Sequence, residues 1–161
     1  MNNILKYILL YAVFILSLFG LFHTIDEWYS KNIEIQQNIL VKQAQTHFND
    51  QINTREWNSK YGGVFVKQVE GVEPNQYLKN NTLKVNDDLT LLRINPALMT
   101  RELSELSNIK DFSFRITSLT PINPNNKASE FEIRALKNFD KTKNTEYYEF
   151  KDSDKFRYMG A

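Results

Sequence analysis

The chain has 161 residues, room for one domain beside a membrane segment, and a formal net charge of +1. Its lysines, arginines and acids are interspersed without a basic or acidic tail, so it presents no field that would gather nucleic acid. It has no cysteine, which excludes disulfides, thiolate zinc sites, thiol catalysis and thioether-linked haem within these residues, and leaves the redox compartment open.

Residues Ile4 to Phe22 read ILKYILLYAVFILSLFGLF, with Lys6 as the one charge, close enough to the end to snorkel. A helix of about 19 such residues spans a hydrocarbon core of roughly 30 Å. A helix apolar on every side does not suit the surface of a globular domain. The run exceeds a signal-peptide core, and no small-x-small cleavage site follows Phe22. Residues 1–24 are therefore expected to be a retained membrane anchor. Lys6 and the amino terminus lie at the start of the span and Asp26 and Glu27 follow it, which places the N-terminus in the cytoplasm and the domain outside. In a bacterium that outside is the periplasm.

Residues 25–52 contain neither glycine nor proline and predict a linker helix. Ile25, Trp28, Ile35 and Ile39 fall near heptad spacing, and Val41, Ala44, Phe48 and Ile52 mark a second stripe. The first stripe could pair with a second copy of the chain. Asn32 and Lys42 interrupt the heptads, which favours a loose homodimer contact over a stable coiled coil. His47, alone on this helix, reads as a boundary residue.

The segment Trp57-Asn58-Ser59-Lys60-Tyr61-Gly62-Gly63 is expected to end the helix, and Val64-Phe65-Val66 to form a strand. Residues 70–82 read as a loop, and Leu89 to Ile94 as a second strand. Asn95-Pro96 starts a helix with Met99, Leu103 and Leu106 on its apolar face. Phe112 to Ser118 alternates with period two and predicts a strand. Pro121 to Asn126 is a loop, because its prolines cannot continue a sheet. Ser129 and Glu132 form a capping box, and Phe131, Ala135 and Phe139 are the buried face of the helix it opens. Thr145 to Phe150 and Phe156 to Met159 predict two strands joined by a turn at Asp152-Ser153-Asp154. The fold class is α+β, with a mostly antiparallel sheet and flanking helices.

Motifs for acyl transfer, phosphate loops, dinucleotide binding, HExxH zinc sites and EF-hands are absent, and the chain's two histidines are His23 and His47. No catalytic residues and no metal site are expected, and the chain does not read as an enzyme. Asp87-Asp88 reads as a solvated turn. Two constellations remain. Arg55, Trp57, Tyr61 and the Gly62-Gly63 turn gather a cation, two aromatics and backbone donors, and Arg101 and Arg115 add cations beside Thr100, Thr117 and Ser118. A pocket built from these would take a small anion or a planar ligand. In the structural alternative Trp57 is core, the arginines pair with nearby acids and the glycines only turn.

Five ordered segments carry a family resemblance: Arg55-x-Trp57-Asn58-x-x-Tyr61-Gly62-Gly63-Val64-Phe65-Val66, Pro74-Asn75-x-Tyr77-Leu78, Ile94-Asn95-Pro96-Ala97-x-Met99-Thr100-Arg101, Phe114-Arg115-Ile116-Thr117-Ser118-Leu119-x-Pro121-x-Asn123-Pro124 and Phe156-Arg157-Tyr158-Met159. Together they resemble the Tll-like sensor domain, also described as a c-type-haem-associated domain. The resemblance implies a PAS-like domain over residues 40–161, in the periplasmic part of histidine kinases and related proteins of the bacterial inner membrane. It implies ligand or redox sensing in a two-component system; from the apolar span and the helix stripe, the membrane and a second copy are the expected partners. In many members a Cys-x-x-Cys-His haem site, a second span and a transmitter follow the Arg-Tyr-Met motif. The sequence ends at Ala161, short of that point, which leaves open a fragment truncated at its C-terminus, a truncated product or a haem-free member. The second functional expectation is a membrane-tethered haem-binding or electron-transfer protein without a transmitter.

Overall fold

The computed structural model describes residues 3–106, 112–152 and 155–161. It is an α+β chain: helix α1 (Asn3–Lys60), strands β1 (Val64–Lys67), β2 (Thr82–Lys84) and β3 (Thr90–Ile94), helix α2 (Pro96–Leu106), a 3₁₀ turn (Pro124–Asn126), helix α3 (Glu130–Thr142) and strands β4 (Glu146–Asp152) and β5 (Lys155–Gly160). The residues divide into two units, Met1–Gln43 with Phe150–Phe156, and Ala44–Glu149 with Arg157–Ala161.

The expected anchor and linker helix are one element. Helix α1 runs 58 residues without a break, and its N-terminal part is long and apolar enough to cross a membrane. It continues past Ile52 because nothing before Gly62 stops it. Its end is a Schellman motif: Gly63 N–H donates to Asn58 O at 3.0 Å and Gly62 N–H to Ser59 O at 2.9 Å. Gly62 at φ +70° and Gly63 at φ +101° supply the left-handed turn that the motif needs.

In the second unit β1, β3 and β2 form an antiparallel sheet in that order. Val64 faces Ile94, and Val66 and Thr82 flank Leu92, so these share one face. On that face Leu92 and Ile94 of the central strand are buried, and Leu98 of α2 and Phe131 and Ala135 of α3 are the other buried apolar residues among those described. Each of these side chains except the small Ala135 contributes about 1.5–3 kcal/mol by leaving water. Helix α2 opens as expected, with Asn95 Oδ1 accepting from Leu98 N–H at 2.9 Å. The Ser129–Glu132 capping box is present on α3, and Phe139 is half-buried beside Phe131 and Ala135. Strands β4 and β5 form a separate two-stranded hairpin. Ser153 and Asp154 of the expected turn lie outside the described residues.

Three expectations are corrected. Phe112 to Ser118 is not a strand. Its exposure alternates, but among the described residues no ladder partners it. Phe114 O accepts from the Ser104 hydroxyl at 2.5 Å, and Ser118 makes an isolated parallel bridge to Lys127. A side chain and a loop thus take hydrogen bonds that a neighbouring strand would supply. The loop expected over 70–82 ends in strand β2, whose three residues are too few to display a period. On α2 the buried residues are Leu98 and Thr100, whereas Leu103 and Leu106 are exposed. On the inward side of that helix Thr100 accepts from Arg55, and Met99 accepts from Asn58.

Candidate functional site

The five residues singled out in the sequence occupy three separate places. Arg55 lies on the inner side of α1, half-buried, and donates from Nη1 to Thr100 Oγ1 at 3.2 Å and to Pro96 O at 3.4 Å. Thr100 Oγ1 in turn donates to Pro96 O at 2.9 Å. Trp57 and Tyr61 point the other way: they are 55% and 62% exposed and meet edge-on, with centroids 5.5 Å apart. Lys60 Nζ sits 5.9 Å from the Tyr61 ring centre. Trp57 is therefore not core, and these aromatics do not share a pocket with Arg55. The Gly62 and Gly63 amides are used in the helix end and are not free for a ligand.

Arg101 turns along its own helix toward Glu105, at 3.9 Å. Arg115 pins a loop: Nη2 donates to Asn125 O at 3.1 Å and Lys127 O at 2.8 Å, and Nε lies 3.5 Å from Glu132 Oε1. Both arginines have acid partners, as the structural alternative supposed. Arg55 differs. Among the described residues no carboxylate lies within ion-pair distance of it, and only its Nη1 makes hydrogen bonds.

The surroundings of Arg55 are polar and buried. Asn58 is fully buried, and its Nδ2 donates to Ile94 O at 3.2 Å and to Met99 Sδ at 3.4 Å. Asn58 Oδ1 is buried and accepts nothing, and so is Gln51 Oε1. Gln51, Arg55 and Asn58 follow one another at i, i+4 and i+7, which places them on one side of α1. That side presents a guanidinium with spare donors between two unsatisfied amide oxygens. Arg93 closes the neighbouring turn by donating from Nε to Gly62 O at 3.1 Å. Asn58 was legible only as a turn former. The signal that would have found it is this polar i, i+4, i+7 stripe within an otherwise apolar helix side.

Elsewhere, an open concavity of about 350 Å³ is lined by Gln68, Glu70, Glu73, Asp87 and Asp88 among others. Asp87 already pairs with Lys84 at 2.8 Å, and Asp88 N–H binds Asn86 Oδ1, as in a solvated turn. Among the described residues no His, Cys, Asp and Glu group is arranged to hold a metal ion. His47 stacks on Phe112, with centroids 4.4 Å apart, and is exposed. The chain has no cysteine, so none of its residues can form the thioether bonds of a covalently attached haem.

The sequence matches the Tll0287-like family over residues 29–161, and the chain belongs to that family. No curated protein matches it, and no solved structure does.

Proposed function

We propose that this member of the Tll0287-like family is the extracytoplasmic sensory part of a bacterial membrane signalling protein, and that it reads a small anion at Arg55. The observation that carries this reading is a half-buried guanidinium without an acid partner, set on the helix that also holds the apolar span. A carboxylate or phosphate could take the free Nε and Nη2 donors in a bidentate pair. The charges around the span, Lys6 at its start and Asp26 and Glu27 after it, support a cytoplasmic N-terminus and a periplasmic domain.

A ligand at Arg55 competes with the bonds from Arg55 to Thr100 and Pro96, which hold α1 to α2. Binding then shifts α1 between two packings, provided that the anion binds one packing more tightly than the other. The test uses the full chain in nanodiscs, with acetate, citrate and inorganic phosphate as probes and thermal melting as the readout. At least one probe is expected to raise the melting temperature, and Arg55→Ala to abolish that rise while Arg101→Ala retains it. Identical responses of the Arg55→Ala and parent chains, or no response of the parent to any probe, would overturn the reading.

A further inference from the structure

The part of α1 that follows the span leaves an apolar seam uncovered. Ile25, Trp28, Ile35 and Ile39 are 55%, 67%, 54% and 44% exposed. At about 100° per residue they and Asn32 fall within an arc of about 80° on the helix. The half-buried residues Gln37, Leu40 and Val41 lie toward the opposite side. Ser30 and Glu34 on that opposite side are exposed as well but polar, so what sets the seam apart is its row of exposed apolar side chains. Lipid headgroups can cover Ile25 and Trp28, which sit just beyond the span. Ile35 and Ile39 lie about 20 Å and about 25 Å along the helix from Phe22, outside the hydrocarbon core.

We infer that this seam is the interface of a parallel, in-register homodimer, with Asn32 as its register key. The occupant is a second copy because the seam lies on the helix that carries the anchor. Two copies inserted in one membrane run in the same direction and at the same height, so equal residues meet. Confinement to the membrane also raises their effective concentration. In heptad terms Ile25, Asn32 and Ile39 are a positions, and Trp28 and Ile35 are d positions. Asn32 Nδ2 donates at 2.8 Å to Trp28 O of its own helix, whose carbonyl is already part of the helical ladder. Opposite a second Asn32 the two amides can pair with each other, which a shifted register would forbid. The seam ends at Lys42, the next d position, where a charged residue breaks the apolar row. This inference stands on α1 and does not depend on the anion reading.

The absence of native cysteine makes the test clean. Single cysteines replace Ile25, Ile35 and Ile39 on the seam and Ser30 and Glu34 on the opposite side, and the full chain is oxidised in its membrane. The expected result is disulfide dimer at the three seam positions and at least several-fold less at Ser30 and Glu34. Equal bands at all five positions would mean random collision and overturn the inference, as would no bands. Adding Asn32→Lys to the Ile35→Cys chain should cut the dimer band several-fold, and Asn32→Leu should retain it. An undiminished band in Asn32→Lys would overturn the role given to Asn32. All five cysteine positions are exposed, so loss of folding does not confuse the outcome.

Discussion

Asn58 Nδ2 reaches across from the last turn of α1 to the backbone carbonyl of Ile94, at 3.2 Å, inside the core. This bond joins α1 to the central strand of the sheet. Asn58→Ala removes it and leaves a void beside Met99. The expected loss is about 1–3 kcal/mol in urea unfolding of the full chain in detergent. Asn58→Asp should cost more at neutral pH, because it buries a carboxylate with no cation bonded to it. That extra cost should shrink on acidification, when a protonated carboxyl can again donate. An Asn58→Asp stability that does not change with pH would place the side chain in water.

Gly62 and Gly63 both hold positive φ, but their surroundings differ. A Cβ on Gly62 meets nothing within 4 Å, whereas one on Gly63 would lie 3.2 Å from both Arg93 Nε and Ile94 O. Gly62→Ala should therefore cost only the left-handed backbone term, about 1–2 kcal/mol. Gly63→Ala should cost more, and adding Arg93→Ala should give a sum smaller than the two separate losses. Equal costs for the two glycines, measured by thermal melting, would refute the close packing of β3 against this turn.

These helix ends show what the sequence made legible. Gly62-Gly63, Asn95-Pro96 and Ser129-x-x-Glu132 are short-range signals whose partners lie within a few residues, and each appears where it was read. The family motifs were legible too, and the family is confirmed over residues 29–161. Burial set by distant partners was not legible. Phe112, Phe114 and Ile116 alternate as in a strand, yet among the described residues no strand pairs with them. Arg55, Arg101 and Arg115 look alike in sequence. Glu105 and Glu132 lie against two of them and, among the described residues, no acid lies against the third, and only the fold reveals that.

The capping box of α3 is linked to the loop before it. Ser129 N–H donates to Glu132 Oε2 at 2.7 Å, while Glu132 Oε1 lies 3.5 Å from Arg115 Nε. Ser129→Ala should cost about 1 kcal/mol. Glu132→Ala should cost more, because it frees both the cap and Arg115. Combined with Arg115→Ala it should be less than additive, since both remove one ion pair. Strict additivity in urea midpoints would separate the two interactions.

Arg134 grips Glu149 with two hydrogen bonds, of 2.9 and 2.7 Å, and the Tyr147 hydroxyl adds a third at 2.8 Å. The guanidinium, first, and then the phenol hold the Glu149 carboxyl below its ordinary value of 4.5. A depressed carboxylate contributes stability that is present above its ordinary value and lost as pH falls through the lowered one. Parent and Glu149→Gln chains should therefore differ in unfolding midpoint at neutral pH and converge in acid. A difference that persists in acid would assign Glu149 a packing role.

The alkaline limb should belong in part to Tyr158. Its hydroxyl donates to Glu146 Oε2 at 3.1 Å, and the same oxygen accepts from Gln45 Nε2 at 2.7 Å, which ties β5 and β4 to α1. Burial, and then the Glu146 carboxylate, push the Tyr158 phenol up from 10.0 to about 12. The folded state thus favours the neutral phenol. Its contribution is complete below pH 10.0 and is lost as pH rises toward about 12. Tyr158→Phe has no proton to lose at this site, so it should be less stable than the parent at neutral pH and should lose less stability across that window. The two urea-midpoint curves are expected to converge as the solution becomes alkaline. Parallel curves through the window would show that the Tyr158 hydroxyl titrates in water, and that Glu146 is held by Gln45 alone.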